Sequence, residues 1–246
     1  MNLLIDSGNS FLKWALATDD SFVAEGRCRS SAVPALSGIW KSQETPERVI
    51  VSNVAGEVVA GEIRKVVHSL WRLDTEFIVS SQRCCGLENN YHIPEQLGVD
   101  RWMAMVMAYR VTQGPVIIVD CGTAITIDLV NKNGLFLGGV IMPGINTAYD
   151  SLRTGTDVVD EISKLHDVSP VSHSTEEGVA AGVVLGIAGG IERVVREQSL
   201  RLDRMNPVVV LTGGDAEKIV RHLSIPVDYQ VNLVLQGLRI FAESGD

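Results

Sequence analysis

Positive charge is scarce in this sequence, and the shortage excludes one class of protein. The 246 residues include 21 Lys and Arg against 30 Asp and Glu, which gives a formal net charge of −9. Since no basic stripe is present to release counterions from a nucleic-acid backbone, we expect no nucleic-acid partner. A small anionic ligand stays open, because backbone N–H groups and single cations can hold one against the overall charge.

Cysteines and long hydrophobic runs are also few. The cysteines show no CxxC spacing and no paired His residues, so we expect reduced, structural thiols at Cys28, Cys84, Cys85 and Cys121. The N-terminus lacks the basic, apolar and small-residue series of a secretory signal. The most apolar helical candidate, residues 178–191, is predicted to be too short and too rich in glycine to cross a bilayer. These absences favour a cytoplasmic protein with no membrane partner.

Two common nucleotide-binding motifs are missing as well. The chain has neither GxxxxGK[ST] nor a GxGxxG that follows a strand. A nucleotide site would therefore belong to another architecture than the P-loop or dinucleotide-binding folds.

What is present is an alternation of strands and helices, which predicts an α/β fold. The predicted strands are rich in Val, Ile or Leu, and they span 2–5, 11–17, 48–52, 76–79, 116–119, 124–130 and 207–211. The predicted helices are 57–71, 100–111, one that begins with the capping box Ser174 to Glu177, and one that follows Asn232. The run 138–156, punctuated by Gly and Pro, is interpreted as a loop that leads into a helix.

A weak internal repeat divides the chain. "LLIDSGNSFLKWAL" aligns without gaps onto "IIVDCGTAITIDLV", which places Asp6 over Asp120 and Gly8 over Gly122, 114 residues apart. Each half then starts with a strand, an acidic turn and a second strand. With the boundary at Gly114 and Pro115, the predicted domains are 1–114 and 115–246, packed over a shared cleft.

The two acidic turns are the first candidates for chemistry. A turn of this kind offers backbone N–H groups to a phosphate, and its carboxylate can hold hydrated Mg²⁺. The alternative is a plain hairpin in which Asp and Asn bond to their own backbone. The repetition of the turn favours a site over a hairpin.

Two further motifs follow strands or begin helices. "VVVLTGGDA", residues 208–216, contains glycines that would let a ring or ribose approach the backbone. Gly98-Val99-Asp100-Arg101 begins an apolar helix, where an Asp is favourable as a cap. Because Arg101 opposes the helix dipole, the Asp–Arg pair is equally consistent with a general base and an anion-holding cation.

Glycines recur every fourth residue along another helix, at 178, 182, 186 and 190. Each is about 1 kcal/mol less favourable than alanine in a helix. Close approach of a second backbone, within the protomer or across a dimer, would offset this loss.

Taken together, the ordered motifs resemble one family. "DSGNSFLKW", "LGVDR", "VDCGTAITID", "GGVIMPG", "STEEG" and "LTGGDA" are similar to the motifs of type III pantothenate kinase, over essentially the whole chain. The resemblance implies two duplicated ribonuclease H-like domains of the actin-like superfamily of acetate and sugar kinases, with a cleft between them. It also implies an ATP-dependent phosphotransferase that makes 4′-phosphopantothenate from pantothenate, in a homodimer.

The same resemblance implies a role for particular residues. Asp100 would accept the substrate proton, Asp6 would hold Mg²⁺ through water, and Asp120 would bind K⁺ or NH₄⁺. The implied ATP-binding residues are Asp6, Ser7, Gly8, Asn9, Ser10, Phe11, Leu12, Lys13 and Thr123. The implied pantothenate-binding residues are Tyr91, Gly98, Val99, Asp100, Arg101 and Thr175.

One segment departs from the family pattern. After Ser151-Leu152 the family usually carries a Thr-Ala-x-Leu-Pro-like run, whereas this chain has "RTGTDVVDE" at 153–161. Two alternatives to the pantothenate kinase are a kinase of the same superfamily for another small molecule and a non-catalytic nucleotide-binding regulator of the Bvg accessory factor type. Asp100 counts against the regulator, since a pure binder needs no proton acceptor.

Overall fold

The computed structural model describes residues 1–155, 168–202 and 205–244. Residues 156–161 of the atypical segment lie outside the described residues. Contacts divide the chain into two compact units, 1–111 with 232–246 (unit 1) and 112–231 (unit 2). The sequence-based boundary placed the last helix in the second domain, whereas its contacts with the first sheet assign it to unit 1.

Unit 1 is built on a five-stranded sheet with the order β3-β2-β1-β4-β5. The strands are β1 (Asn2–Ser7), β2 (Phe11–Ala17), β3 (Phe22–Arg29), β4 (Arg48–Asn53) and β5 (Thr75–Phe77). β2 is antiparallel to both β1 and β3, while β4 and β5 are parallel to β1. A short hairpin consists of β6 (Arg83–Cys84) and β7 (Leu87–Glu88). The helices are α1 (Leu36–Trp40), α2 (Glu57–Trp71), α3 (Val99–Thr112) and α7 (Leu233–Ser244), with 3₁₀ turns at Ser30–Ala35 and Pro94–Gln96.

Unit 2 repeats the same sheet, with the order β10-β9-β8-β11-β12. Its strands are β8 (Val116–Cys121), β9 (Ala124–Val130), β10 (Phe136–Pro143), β11 (Val208–Thr212) and β12 (Asp228–Tyr229). Its helices are α4 (Ile145–Gly155), α5 (Thr175–Ser199) and α6 (Ala216–Val220). Strand order and direction match those of unit 1, so the predicted α/β fold of two duplicated ribonuclease H-like domains is confirmed.

The repeat contains a gap that the gapless alignment missed. Asp6 pairs with Lys13 across β1 and β2, whereas the equivalent Asp120 pairs with Thr126 across β8 and β9. The second turn is therefore one residue shorter, and Lys13 corresponds to Thr126, not to Ile127. The burial patterns of β2 and β9 agree residue for residue in this new alignment.

Each sheet buries an equivalent apolar face. In unit 1, Leu3 and Ile5 on β1 pack in a core with Leu12, Trp14 and Leu16 on β2. In unit 2 the equivalent residues of β8 and β9 form the corresponding core: Ile117, Val119, Ile125, Ile127 and Leu129. Because side chains alternate along a strand, the intervening residues, Asp6 and Asp120 among them, face the other side of each sheet.

The third strand of each sheet differs from the prediction. β3 was absent from the predicted strands, and β10 lies where a loop was expected, although the helix after it is present as α4. β3 alternates exposed and half-buried residues and has little hydrophobic signal, while β10 has two glycines as its third and fourth residues and ends in Pro143. Both strands form because they pair with β2 and β9.

The helix α5 is longer than predicted, with 25 residues. By length and composition alone it could cross a membrane, so the argument that it is too short was wrong. One such helix is weak support for a membrane span, because core helices pass the same test. Here Val183, Val184, Ile187 and Ile191 pack into the core of unit 2.

Candidate active site

The β1–β2 turn of unit 1 is the first candidate site. Asp6, half-buried near the end of β1, lies opposite Lys13 on β2 and Ser52 on β4. Paired residues share one face of a sheet, so a carboxylate, an ammonium group and a hydroxyl lie side by side. The Ser52 Oγ is buried and has no hydrogen-bond partner among the described residues. Such a hydroxyl beside a carboxylate fits a site that receives a polar ligand.

Hydrogen bonds hold this turn in one shape. The Gly8 N–H donates to the Phe11 carbonyl oxygen over 3.1 Å. After β3, the Ser30 N–H donates to the Ser10 carbonyl oxygen over 3.1 Å. The Ser30 hydroxyl donates to the Gly8 carbonyl oxygen over 2.6 Å. Asn9 at the tip stays exposed. A turn fixed in this way can present N–H groups and small polar side chains to a phosphate.

The β8–β9 turn of unit 2 has the same organisation. Asp120 is half-buried and lies opposite Thr126 on β9 and Thr212 on β11. The Gly122 N–H donates to the Ala124 carbonyl oxygen over 3.1 Å and closes the shorter turn. Thr212 occupies the register position beside Asp120 that Ser52 occupies beside Asp6.

Two glycines bring other segments against this turn. The Gly144 N–H donates to the Thr123 carbonyl oxygen over 3.1 Å, and a Cβ on Gly144 would lie 2.2 Å from the Gly122 oxygen. Gly213 has a φ of +102°, and a Cβ there would lie 2.5 Å from Oδ1 of Asp120. Only glycine fits either position, so the segments after β10 and β11 are packed directly on the acidic turn.

Negative charge is concentrated at the same place. Burial raises the pKa of the Cys121 thiol, and the neighbouring carboxylates of Asp120 and Asp215 raise it further. Asp215 also pairs with Lys218, with 2.7 Å between Oδ1 and Nζ. The thiolate form of Cys121 is therefore disfavoured, which argues against a role as a nucleophile. Lys218 balances the charge of Asp215, and the Asp120 carboxylate is the group that favours a further cation at this turn.

The start of α3 in unit 1 holds the Asp–Arg pair. Oδ1 of Asp100 accepts a hydrogen bond from the Arg101 N–H over 2.8 Å. A Cβ on Gly98 would lie 2.6 Å from the same oxygen, so the glycine gives the carboxylate room. Burial raises the pKa of Asp100, and the Arg101 N–H and guanidinium oppose this only in part. A desolvated carboxylate of this kind is a stronger base than an exposed one.

The charge of Arg101 opposes the helix dipole at the start of α3, but its side chain has a partner outside the helix. Its side chain is buried, with 8% of the residue exposed, and Nη1 donates to the Tyr91 hydroxyl over 3.0 Å. The guanidinium carbon also lies 5.9 Å from the centroid of the Tyr91 ring. The structure thus brings Tyr91 together with Gly98, Asp100 and Arg101 at the start of α3. Val99, which lies between Gly98 and Asp100 in the sequence, is buried.

The loop that carries Tyr91 is organised by a residue that the sequence analysis missed. Asn89 is 1% exposed, and its Nδ2 donates to the Ser81 and Pro94 carbonyl oxygens over 3.3 and 3.2 Å. Its Oδ1 accepts from the Tyr91 N–H over 3.0 Å. In the sequence, the role of Asn89 was indicated only by the pair Asn89-Asn90 directly before Tyr91, in a segment with few apolar residues.

Thr175 lies in unit 2, exposed at the first position of α5. The predicted capping box before it is confirmed: the Glu177 N–H donates to the Ser174 hydroxyl over 3.2 Å. The Glu177 carboxylate accepts in turn from the His173 N–H over 2.9 Å. The candidate residues are therefore divided between the units, with Asp6 to Lys13 and Tyr91 to Arg101 in unit 1 and Asp120, Thr123 and Thr175 in unit 2.

The duplicated sheets, each with an acidic turn after its first strand, define an actin-like ATPase fold. Solved structures agree with this fold over the whole chain. A Campylobacter jejuni protein assigned to the Baf family of transcriptional activators has a TM-score of 0.61 at 20% identity, and 99% of this chain and 98% of that one are covered. The Clostridium difficile activator of 2-hydroxyisocaproyl-CoA dehydratase, with bound ADPNP, has a TM-score of 0.58 at 14% identity, with coverage of 99% and 95%. At these identities the likeness shows the fold alone.

The sequence comparisons are more specific. The family model described as type III pantothenate kinase matches residues 2–197. A type III pantothenate kinase of Nitrosomonas eutropha is 35% identical over 248 residues, which cover 99% of this chain and 95% of the relative. This chain belongs to the type III pantothenate kinase family, and the resemblance drawn from its motifs is confirmed.

Proposed function

We propose that this chain transfers the γ-phosphoryl group of ATP to pantothenate and so makes 4′-phosphopantothenate, the first step of coenzyme A biosynthesis. Membership of the type III pantothenate kinase family supports the reaction and both substrates. The observation that carries the catalytic assignment is the half-buried, desolvated carboxylate of Asp100, which is next to Arg101, the hydrogen-bond partner of Tyr91.

Asp100 is the general base in this proposal. The primary hydroxyl of pantothenate gives its proton to a carboxylate oxygen of Asp100 as the hydroxyl oxygen bonds to the γ-phosphorus. The bond from that phosphorus to the β–γ bridging oxygen breaks, and ADP leaves. Arg101 and Tyr91 bind polar groups of the substrate, and Gly98 and Val99 shape the site around it. The raised pKa of Asp100 makes the proton transfer more favourable than it would be to an exposed aspartate.

ATP binds at the turn from Asp6 to Lys13 in this proposal, with Thr123 as a further contact. The part of the chain that the structure describes contains no group of three or more His, Cys, Asp or Glu that could hold a metal ion. This fits Mg²⁺, which usually keeps several waters and binds through one or two carboxylates plus the phosphates of the substrate. Asp6 supplies that carboxylate, and Mg²⁺ would offset negative charge on the phosphates.

A monovalent cation, K⁺ or NH₄⁺, is assigned to Asp120. The Asp120 carboxylate supports a cation at this turn, and Gly213 holds the neighbouring segment against its Oδ1. Thr175 is assigned to pantothenate on its motif and on its exposed position at the start of α5.

A homodimer is part of the proposal. Among the described residues, no atom lies within 4 Å of a Cβ built on Gly182, Gly186 or Gly189, all exposed on α5. Gly190 is explained within the chain, since its Cβ would lie 2.7 Å from the Met142 methyl group. The uncovered glycines support close approach of a second copy. We place the protein in the cytoplasm, where ATP is abundant and where the four free cysteines would stay reduced.

ATP turnover with pantothenate and Mg²⁺, in K⁺ or in Na⁺, tests this function. We expect turnover that requires K⁺ or NH₄⁺ and that falls by roughly 100-fold or more in Asp100→Asn. Asp74→Asn, on a surface loop of the same unit, is the matched control and keeps full activity. A folded wild-type protein without turnover in any of these cations would favour the nucleotide-binding regulator. Turnover with another alcohol and not with pantothenate would favour a different kinase of the superfamily.

A further inference from the structure

Strands β2 and β3 present a group of cations on one face. Phe11 lies directly opposite Arg29, and Lys13 directly opposite Arg27. Opposed residues of an antiparallel pair point to the same side of the sheet. The alternate residues, such as Leu12 and Trp14, pack into the core on the other side. We name Phe11, Lys13, Arg27 and Arg29 the β2–β3 basic surface.

Within the part of the chain that the structure describes, ion pairs do not neutralise the positive charges of this surface. In residues 1–155, 168–202 and 205–244, no carboxylate oxygen lies within 4.0 Å of a side-chain nitrogen of Lys13, Arg27 or Arg29. Each guanidinium carbon lies instead 5.7 Å from the centroid of the Phe11 ring, which is 45% exposed. Glu25, the acid on the same face of β3, accepts a hydrogen bond from Asn232 Nδ2.

Such an arrangement is unfavourable in the free protein. Like charges directly opposite each other on neighbouring strands repel, and Lys13 and Arg27 are such a pair. The contacts of both guanidinium groups with the Phe11 ring offset this repulsion only in part. A polyanion on this surface would remove the repulsion and use the fork of each guanidinium.

The position of the surface identifies the polyanion. Lys13 is paired with Asp6 across β1 and β2, and the Phe11 carbonyl closes the turn that the proposed function assigns to ATP. The basic surface therefore continues the turn by one strand. We propose that Arg27 and Arg29 bind the polyphosphate of ATP, and that they extend the phosphate site from the β1–β2 turn onto β3. This inference rests on the proposed ATP site.

The test removes the two guanidinium charges from β3 by substitutions to glutamine, which is uncharged and can remain in the strand. Arg27→Gln, Arg29→Gln and the double variant are compared for the KM of MgATP, the KM of pantothenate and kcat. We expect each single change to raise the KM of MgATP about 3-fold and the double change about 10-fold, because exposed charge-assisted bonds are individually modest. The KM of pantothenate and kcat stay within about 2-fold. Added salt should weaken MgATP binding by the wild type more than by the double variant.

A matched control lies in the same unit. The guanidinium carbon of Arg64 lies 4.4 Å from the Phe77 ring centroid, so Arg64→Gln removes the same kind of contact without touching the turn. The KM of MgATP should not change in this variant. Arg27→Lys with Arg29→Lys keeps the charge but not the fork, and its KM should lie between those of the wild type and the double Gln variant.

Two results would overturn the inference. One is a folded double Gln variant with an unchanged KM for MgATP, and the other is a rise confined to the KM of pantothenate. In both cases the turnover of the wild type leaves the proposed function standing. If the wild type shows no turnover, the proposed function fails, and calorimetric titration with inorganic tripolyphosphate then decides. Binding that the double variant loses supports the surface, and binding that it retains, or no binding by the wild type, refutes it.

Discussion

The contact between α7 and α3 gives a sharp prediction for Gly237→Ala. A Cβ on Gly237 would lie 2.0 Å from the Met103 carbonyl oxygen, 2.7 Å from its carbonyl carbon and 3.1 Å from its Cα. Real Cβ atoms essentially never approach another heavy atom within 3.0 Å. All three atoms belong to the backbone, so no side chain can rotate away. The two helices must therefore move apart by about 1 Å, which is an overpacked contact.

The expected loss of stability follows from two opposing effects. Overpacking of a buried contact usually destabilises by about 1–3 kcal/mol, and a rigid backbone neighbour puts this case at the upper end. Alanine is about 1 kcal/mol more favourable than glycine within a helix, which offsets part of that loss. We expect the free energy of unfolding to fall by about 2 kcal/mol, measured by urea unfolding followed through tryptophan fluorescence.

Gly61→Ala is the matched control for helix propensity. No described residue lies within 4 Å of a Cβ on Gly61 in α2, so alanine there should raise the free energy of unfolding by up to about 1 kcal/mol. The Gly237→Ala change should also raise the KM of pantothenate, because Met103 lies only three residues after Asp100 in α3. If Gly237→Ala were as stable as the wild type, the close packing of α7 on α3 would be refuted.

Three further predictions concern the proposed site. Because desolvation raises the pKa of Asp100, the loss of kcat/KM in acid should begin at a higher pH than it would for an ordinary aspartate. The desolvated charge also lowers the stability of the wild type near neutral pH. Any stability advantage of Asp100→Asn should therefore shrink as acid protonates Asp100 in the wild type. Gly213→Ala should raise the K⁺ concentration needed for half-maximal activity, because its Cβ would displace Oδ1 of Asp120; unchanged K⁺ dependence would contradict the assignment. Tyr91→Phe removes the hydroxyl that accepts from Arg101 and should raise the KM of pantothenate by about 5-fold, with kcat nearly unchanged in steady-state assays.

Sequence patterns identified the strands whose own residues are apolar and missed those that depend on a neighbour. β1, β8 and β11 are buried runs of Val, Ile and Leu, and their positions were predicted within two residues. β3 and β10 carry glycine, charge or proline, and their hydrogen bonds to β2 and β9 make them strands. Since that pairing is a tertiary interaction, local composition could not reveal it.

The repeat shows a similar limit. The matching Asp and Gly residues were visible because they lie before and within the turn, where the chemistry restricts the residue types. The missing residue in the second turn went unnoticed, although the gapless alignment sets Lys13 against Ile127 and so exchanges the two faces of the strand after the turn. The pairing of Asp6 with Lys13 and of Asp120 with Thr126 establishes the gapped alignment, and the burial patterns of β2 and β9 agree with it.

Asp100 shows how the structure joins two interpretations that the sequence left open. As a residue near a helix N-terminus, it accepts the Arg101 N–H, which stabilises its charged form and lowers its pKa. As a buried carboxylate, it is desolvated, and this larger effect raises the pKa. The Arg101 guanidinium, whose charge opposes the helix dipole, donates a hydrogen bond to the Tyr91 hydroxyl, so a group outside the helix orients it. Asp100 is the second residue of α3 and does not occupy the N-cap position, and its bond to an N–H of the first turn does not argue against its accepting a proton.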